Sequence, residues 1–426
     1  MADSRPHFLF LQGAASPFFT RLADHLTGRG NAVSRVNFCA GDQLYWGRRP
    51  ARAFRGRLAD LPGFLQAVLA GDQVSDLVLF GDHRPIHRAT IELARAGEIR
   101  VHVFEEGYFR PNWLTLERGG VNAASSLPRD PDWYRLVAPT LDAMPPECPV
   151  PRSLRVRAAH DLAYHLANIA NPILFRGYRT HRPYNAAVEY AGWIRRFSTL
   201  PLGQRRDHAR IRRLLKDGTR YFLLPLQLNG DTQITAHSPF TGMPALIEHV
   251  VRSFAKQAPK DSVLVVKNHP LDTGLFDYRG LVARLDHEFD LGHRLIYLES
   301  GDIAGLIGTA AGMVTVNSTA GLQALAMGCP TLALGTAIYD MPGLTSPPPL
   351  DAFWCAPQPP DPALFDAFRK VVIHTTQVNG DLYTAAGIST AIANCERLMA
   401  AEPPLQRLKA LYGAGSAAHG CSGACG

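Results

Sequence analysis

Several short stretches of this chain gather side chains able to hold or transfer a charged group, and nearly all of them follow an apolar run. Lys267-Asn268-His269-Pro270 comes directly after Val263–Val266. A lysine, an amide and an imidazole leaving one strand together suit a phosphate or carboxylate ligand, and Pro270 would stiffen the turn that presents them. A capped strand end with an exposed histidine accounts for the same residues. Asn317-Ser318-Thr319 stands between a strand and a helix, before Ala320-Gly321. Hydroxyls and free amides at a helix start make an anion site, with a dipole contribution of roughly 0.3–1 kcal/mol. An ordinary Ser/Thr cap is the plainer alternative. Two such sites on neighbouring strand ends look together like a nucleotide phosphate site. Gln227-Leu228-Asn229-Gly230-Asp231 ends the first strand of the second half, and places a carboxylate there if it is more than a solvated turn. Glu105-Glu106-Gly107 closes a strand of the first half and puts a carboxylate on the opposite wall. Paired carboxylates across a cleft are what sugar transfer with retention uses, one as nucleophile and one as acid/base. Asp130-Pro131-Asp132 has the D-x-D form of a metal site, but it sits in a proline-rich stretch with no strand before it, so no metal is assigned.

Elements must bring these residues together. Apolar runs at His7–Leu11, Val33–Asn37, Leu77–Phe80 and Val101–Phe104 alternate with helical spacing from about Ser16 to Arg29 and over His87–Ala96. The pattern restarts with strands at Tyr221–Leu226, Val263–Lys267, Leu295–Leu298, Met313–Val316 and Thr331–Leu334. Helices are expected near Pro244–Lys256, Leu275–Asp286, Ile303–Gly308 and Ala320–Met327. Strands separated by helices imply parallel sheets with crossovers, hence an α/β protein of two doubly wound, Rossmann-like domains facing a central cleft. Ligands in such sheets sit at the carboxyl ends of the strands, where these polar residues fall. The expected divisions are 1–150 for an N-terminal acceptor-side domain, 151–217 for a basic helical segment and 218–345 for a nucleotide-sugar-binding domain. C-terminal helices over 346–412 and a flexible tail over 413–426 complete them.

At 426 residues, 46% apolar and 19% charged, the chain is long enough for two cores and too apolar to be disordered. Its start lacks the regions of a signal peptide, and no apolar run reaches the roughly 18 residues of a spanning helix. Seven scattered cysteines fit a reducing compartment, with Cys421 and Cys425 in a Gly/Ser-rich tail. The expectation is a cytoplasmic protein. Its net charge of +7 is uneven: Arg152–Lys216 carries fourteen Lys/Arg against three acids, a local balance of +11. That segment, with Tyr164, Phe175, Tyr178, Tyr184 and Trp193 interleaved, suits an anionic lipid surface. A solvated helical face or interdomain packing would also explain it. It lacks a nucleic-acid reading module, so no nucleic acid is expected as a partner.

Leu11-Gln12-Gly13 with Ser16-Pro17-Phe18-Phe19, Phe104-Glu105-Glu106-Gly107-Tyr108-Phe109-Arg110, Gln227 to Asp231, Lys267 to Pro270, and Asn317 to Gly328 resemble the KpsS-type capsule polysaccharide synthesis proteins. The resemblance runs from about residue 8 to 345 and rests on several motifs in the same order. It implies a GT-B-like fold and retaining β-Kdo transfer from CMP-β-Kdo, Kdo being an acidic eight-carbon sugar, with no cofactor and no metal. It also implies a phosphatidylglycerol-type acceptor on the cytoplasmic face of the inner membrane, a KpsC-type Kdo transferase that lengthens the linker, and a capsule ABC exporter. By matching motifs, Asp231 would be the nucleophile and Glu106 the acid/base, with the glycine after Glu106 favouring it over Glu105. His269 and Ser318 would hold the CMP phosphate, among donor-side residues Gln227, Lys267, Asn268, Pro270, Asn317 and Thr319. Gln12, Gly13, Glu105, Gly107 and Arg110 fall on the acceptor side. A sialyltransferase-like enzyme using another CMP-sugar, and a non-catalytic export or scaffold protein, are the competing readings.

Overall fold

The computed structural model describes residues 5–151, 153–180, 186–228 and 238–413. The first lobe is a seven-stranded sheet in the order β12-β6-β5-β4-β1-β2-β3. Its strands are β1 (His7–Phe10), β2 (Ala32–Asn37), β3 (Arg52–Ala53), β4 (Asp76–Phe80), β5 (Arg100–Glu106), β6 (Trp113–Arg118) and β12 (Gln377–Asn379). The first five run parallel, while β6 runs antiparallel to β5 and β12 antiparallel to β6. Helices α1 (Phe18–Gly28), α2 (Ala40–Trp46), α3 (Leu61–Gly71) and α4 (Pro85–Ala96) make the crossovers. Alternation along β1 explains the two-sided burial. Phe8 and Phe10 join one core with Phe19 and Phe104, whereas Leu9 joins the opposite core with Leu65, Leu77 and Val103.

The second lobe is a five-stranded parallel sheet in the order β11-β10-β7-β8-β9. Its strands are β7 (Tyr221–Pro225), β8 (Val263–Lys267), β9 (Leu295–Leu298), β10 (Gly312–Thr315) and β11 (Thr331–Ala333). Phe222 and Leu224 face one core and Tyr221 and Leu223 the other. With α5 (Pro131–Val137), α6 (Leu154–Asn168), α7 (Asn171–Leu174) and α8 (Ala186–Lys216) preceding it, this lobe carries α9 (Met243–Gln257), α10 (Tyr278–Glu288), α11 (Ile303–Ile307) and α12 (Thr319–Ala326). The architecture is GT-B-like, two doubly wound α/β lobes. A seam of Tyr108, Trp133 and Tyr134 with Leu322, Tyr339 and Phe368 joins them.

Several features depart from the sequence expectation, which placed no element between Asn37 and Leu77, where α2, β3 and α3 lie. Strand β6 follows the Phe109–Asn112 turn and was not foreseen, and α10 starts three residues later than its apolar spacing suggested. Beyond α13 (Leu350–Phe353), the C-terminal stretch holds α14 (Pro362–Thr376), α15 (Ala385–Met399) and α16 (Pro404–Tyr412), but also β12, which adds to the first sheet. Ile388, Ala391 and Leu398 of α15 then pack into the first lobe's core.

Candidate functional site

In the second lobe, β7 pairs with β8 on one side and β10 on the other, so three strands end side by side. Gln227 Nε2 donates to Asn317 Oδ1 at 3.2 Å, joining the ends of β7 and β10. His269 follows β8 and Asn317 follows β10, and β7 lies between those two strands, so the two candidate anion sites are not on the neighbouring strand ends that the sequence suggested. His269 Nδ1 accepts from the Leu271 amide at 3.1 Å, so the neutral ring carries its proton on Nε2. Burial pushes this imidazole down to about 4, with Lys267, Arg110 and Arg196 adding positive charge. Near neutral pH, His269 is therefore a neutral donor. Ser318 caps α12, its Oγ accepting from the Ala320 amide at 3.2 Å, and Thr319 opens the helix.

Lys267 and Asn268 turn inward instead of toward a ligand. Lys267 is 5% exposed, its Nζ donates to the Asn268 carbonyl at 3.2 Å, and burial lowers its pKa, with Arg196 adding to the shift. Asn268 Nδ2 donates to Glu299 Oε1 at 3.1 Å, while its Oδ1 accepts from the His269 amide at 2.8 Å. Arg196 of α8 holds the whole loop. Its guanidinium donates to the carbonyls of Pro270 at 2.9 Å, Asp272 at 2.6 Å and His269 at 3.1 Å, and to Glu299 Oε1 at 2.6 Å. The basic segment is thus partly internal. Arg195 also donates to the Gly274 carbonyl, and Arg157 pairs with Glu106.

In the first lobe, β1, β4 and β5 end together. Gln12 is 1% exposed and locked in a buried network. Its Nε2 donates to Asp42 Oδ2 at 3.2 Å and Tyr164 Oη at 3.0 Å, and its Oε1 accepts from Arg84 at 2.8 Å. The Gly13 carbonyl accepts from the same guanidinium at 3.3 Å. Gly107 is required where β5 turns toward β6, because a Cβ there would lie 2.0 Å from the Trp113 carbonyl oxygen.

The two adjacent glutamates separate, as strand alternation demands. Glu106 is clasped by α6 and by the C-terminal stretch. Arg157 of α6 reaches its Oε1 at 3.1 Å, Tyr383 donates to the same oxygen at 3.2 Å, and the Arg157 guanidinium lies over the Tyr383 ring at 4.7 Å. Glu105 lies on the other side, against Gly81 and within the field of Arg84 and Arg110. Burial pushes its carboxyl up to about 7; the Glu106 charge adds to this, while the Glu106 amide, Arg84 and Arg110 oppose it. Arg110 is exposed, and its charge acts on both Glu105 and His269, one from each lobe. A small cavity is walled by Tyr108 and Asn122 of the first lobe and by Asn317, Thr319 and Tyr339 of the second.

Asp231 lies outside the described residues. Asp130 caps α5 through the Asp132 amide at 3.0 Å, and Asp132 pairs with Arg135 at 2.9 Å. Sequence reasoning missed Arg84, Arg196 and Tyr383. Arg84 had the same signal as the others, a polar residue just past a strand. Arg196 was hidden among the other cations of α8, and nothing local marks Tyr383.

The sequence profile of the capsule polysaccharide biosynthesis protein family matches residues 75–383. The chain belongs to that family. It is 37% identical over 383 residues to the capsule polysaccharide export protein KpsS of Escherichia coli, covering 88% of this chain and 96% of that one. It is 35% identical over 392 residues to the capsule polysaccharide modification protein LipB of Neisseria meningitidis serogroup B, covering 90% and 93%. Among solved structures, the KpsC β-Kdo 2,7 transferase of Thermosulfurimonas dismutans aligns over 93% of this chain and 100% of its own, with 14% identity and a TM-score of 0.43. No helix among the described residues is long and apolar enough to cross a membrane.

Proposed function

We propose that this protein is a retaining glycosyltransferase that moves Kdo from CMP-β-Kdo to a phosphatidylglycerol-type lipid, starting the linker on which capsular polysaccharide is built. One observation carries the reading: Tyr108 and Asn122 of the first lobe and Asn317 and Thr319 of the second wall one cavity, with Glu105 and His269 at the carboxyl ends of their sheets. The His269 Nε2–H and the first-turn amides of α12 would hold the CMP phosphate, so that its departure needs no proton. Asp231 would attack the anomeric carbon as the bond to the phosphate oxygen breaks, giving a glycosyl-enzyme. Glu105 would then take the proton of the acceptor hydroxyl as that oxygen displaces Asp231. Two inversions give retention. The acid/base role moves from Glu106 to Glu105, because Glu106 is engaged by Arg157 and Tyr383. Arg110 and Arg84 suit the carboxylate that distinguishes Kdo from neutral sugars. A KpsC-type transferase would extend the product, and an ABC exporter would carry the finished chain.

Purified protein is incubated with CMP-Kdo and a fluorescent phosphatidylglycerol, and mass spectrometry looks for one added Kdo. CMP-sialic acid runs in parallel. Equal transfer from both donors would redirect the reading to a broader CMP-sugar enzyme. Binding of CMP-Kdo with no transfer to any lipid would leave a scaffold protein.

A further inference from the structure

We infer that the corner between α6 and α7, with an arginine loop of the first lobe beside it, seats this protein on an anionic lipid surface. One side of the corner is fixed to the first lobe. Asn168 Oδ1 accepts from the Gly41 amide and Asn171 Oδ1 from the Ala40 amide, each at 2.8 Å, so the two asparagines satisfy free amides at the start of α2. Phe175 is 1% exposed and pins the far end. The other side carries Leu162 and Leu166, one turn apart on α6, Ile169 where α6 ends, and Ile173 on α7. They are 47%, 56%, 73% and 76% exposed. Four aliphatic side chains held out in a row by a rigid base are a binding surface, not scattered exposure.

Charge identifies the occupant. A Cβ on Gly177 would lie 1.8 Å from the Gly56 carbonyl oxygen, so the two backbones touch there. That contact sets exposed Arg55 and Arg57 beside exposed Arg176 and Arg179. Sequence alone assigned the membrane role to Arg152–Lys216. The structure adds residues 55–57 from the first lobe, and withdraws Arg157, Arg195 and Arg196, which are engaged internally. A protruding aliphatic ridge bordered by arginines matches an anionic bilayer, whose fluid headgroup layer yields to the ridge while its phosphates meet the guanidinium groups. The inference deepens the lipid-acceptor reading, but it concerns adsorption, which is measured without donor sugar.

The full-length protein is sedimented with vesicles of phosphatidylglycerol mixed with phosphatidylcholine, and with phosphatidylcholine alone. Binding is expected to the first, weakening from about 0.1 M to about 1 M salt as the Debye length falls from about 10 Å to about 3 Å. Ile169→Asp/Ile173→Asp should weaken binding at least about tenfold, and Arg55→Gln/Arg57→Gln should remove part of the salt-sensitive fraction, with thermal melts unchanged in both. Transfer to a detergent-dispersed, short-chain phosphatidylglycerol should survive in both variants. Vesicle binding by the isoleucine variant equal to wild type would overturn the inference. So would a wild-type dimer that this variant dissociates while vesicle binding persists. Vesicle binding without transfer in any form would remove the transferase reading and leave the lipid surface standing.

Discussion

Glu105 and Glu106 share a sequence context and differ in the face of β5 they occupy, and the proposed mechanism gives the first the chemistry and the second a structural role. Glu105→Gln should lower kcat by about 10²- to 10⁴-fold, the usual range for a general base. A base held at about 7 by burial works only once it has lost its proton, so kcat/KM of the wild type should rise with pH through that value. The glutamine variant should lose this limb. Glu106→Gln keeps the hydrogen bond from Tyr383 and loses a half-exposed ion pair with Arg157, for about 1 kcal/mol of stability, and it keeps the ascending limb but moves it to lower pH, because the Glu106 charge no longer raises the Glu105 carboxyl. Steady-state assays across pH and melting curves distinguish the two. The phosphate is assigned to protein donors, so dialysis against a chelator should leave transfer intact.

The elements show what local sequence could and could not reveal. Apolar runs ending in polar clusters located β5, β7, β8 and β10 and the residues after them, because a strand buried on both faces declares itself by composition. The clustering of Gln227 with Asn317 followed from the parallel order. The inward turn of Lys267 did not, since it depends on Arg196, some seventy residues earlier in the chain. That arginine makes a prediction for α8. Arg196→Ala would remove the cation that pairs with the Glu299 carboxylate, leaving it only Asn268 and Tyr297, and the side-chain donor to three loop carbonyls, and should cost several kcal/mol, about 3–5 for a broken buried pair. Because the loop presents His269, CMP affinity measured by calorimetry should fall as well, while lysine at the same position, with a single point charge, should rescue little. The short strand β12 escaped notice for a different reason. It is three residues long, follows directly from α14, and has meaning only beside β6.

The whole molecule registers pH through buried carboxyls placed away from the reacting groups. Glu117, 4% exposed, accepts from Tyr108 and Ser125, and burial pushes it up to about 7. It would ionise near 4.3 when unfolded, so its contribution is full below that value, declines as pH rises and is lost above about 7, about 3 kcal/mol in all. Asp76, held below the usual carboxylate range by His102, Arg100 and Ser75 against the cost of burial, works in the opposite sense and only in stronger acid. Thermal midpoints should therefore drop between about pH 4.5 and 7.5, and Glu117→Gln should remove part of that slope, the rest belonging to Glu105, which burial raises to the same value. Folding order is constrained as well. Because residues 377–399 supply the last strand of the first sheet and a helix over its core, a nascent chain on the ribosome cannot finish the lobe it begins with until nearly all of the protein has been synthesised. The second lobe, whose core is closed by Phe353 and Trp354 shortly before β12 is made, would fold while its neighbour waits with the β6 edge still uncovered.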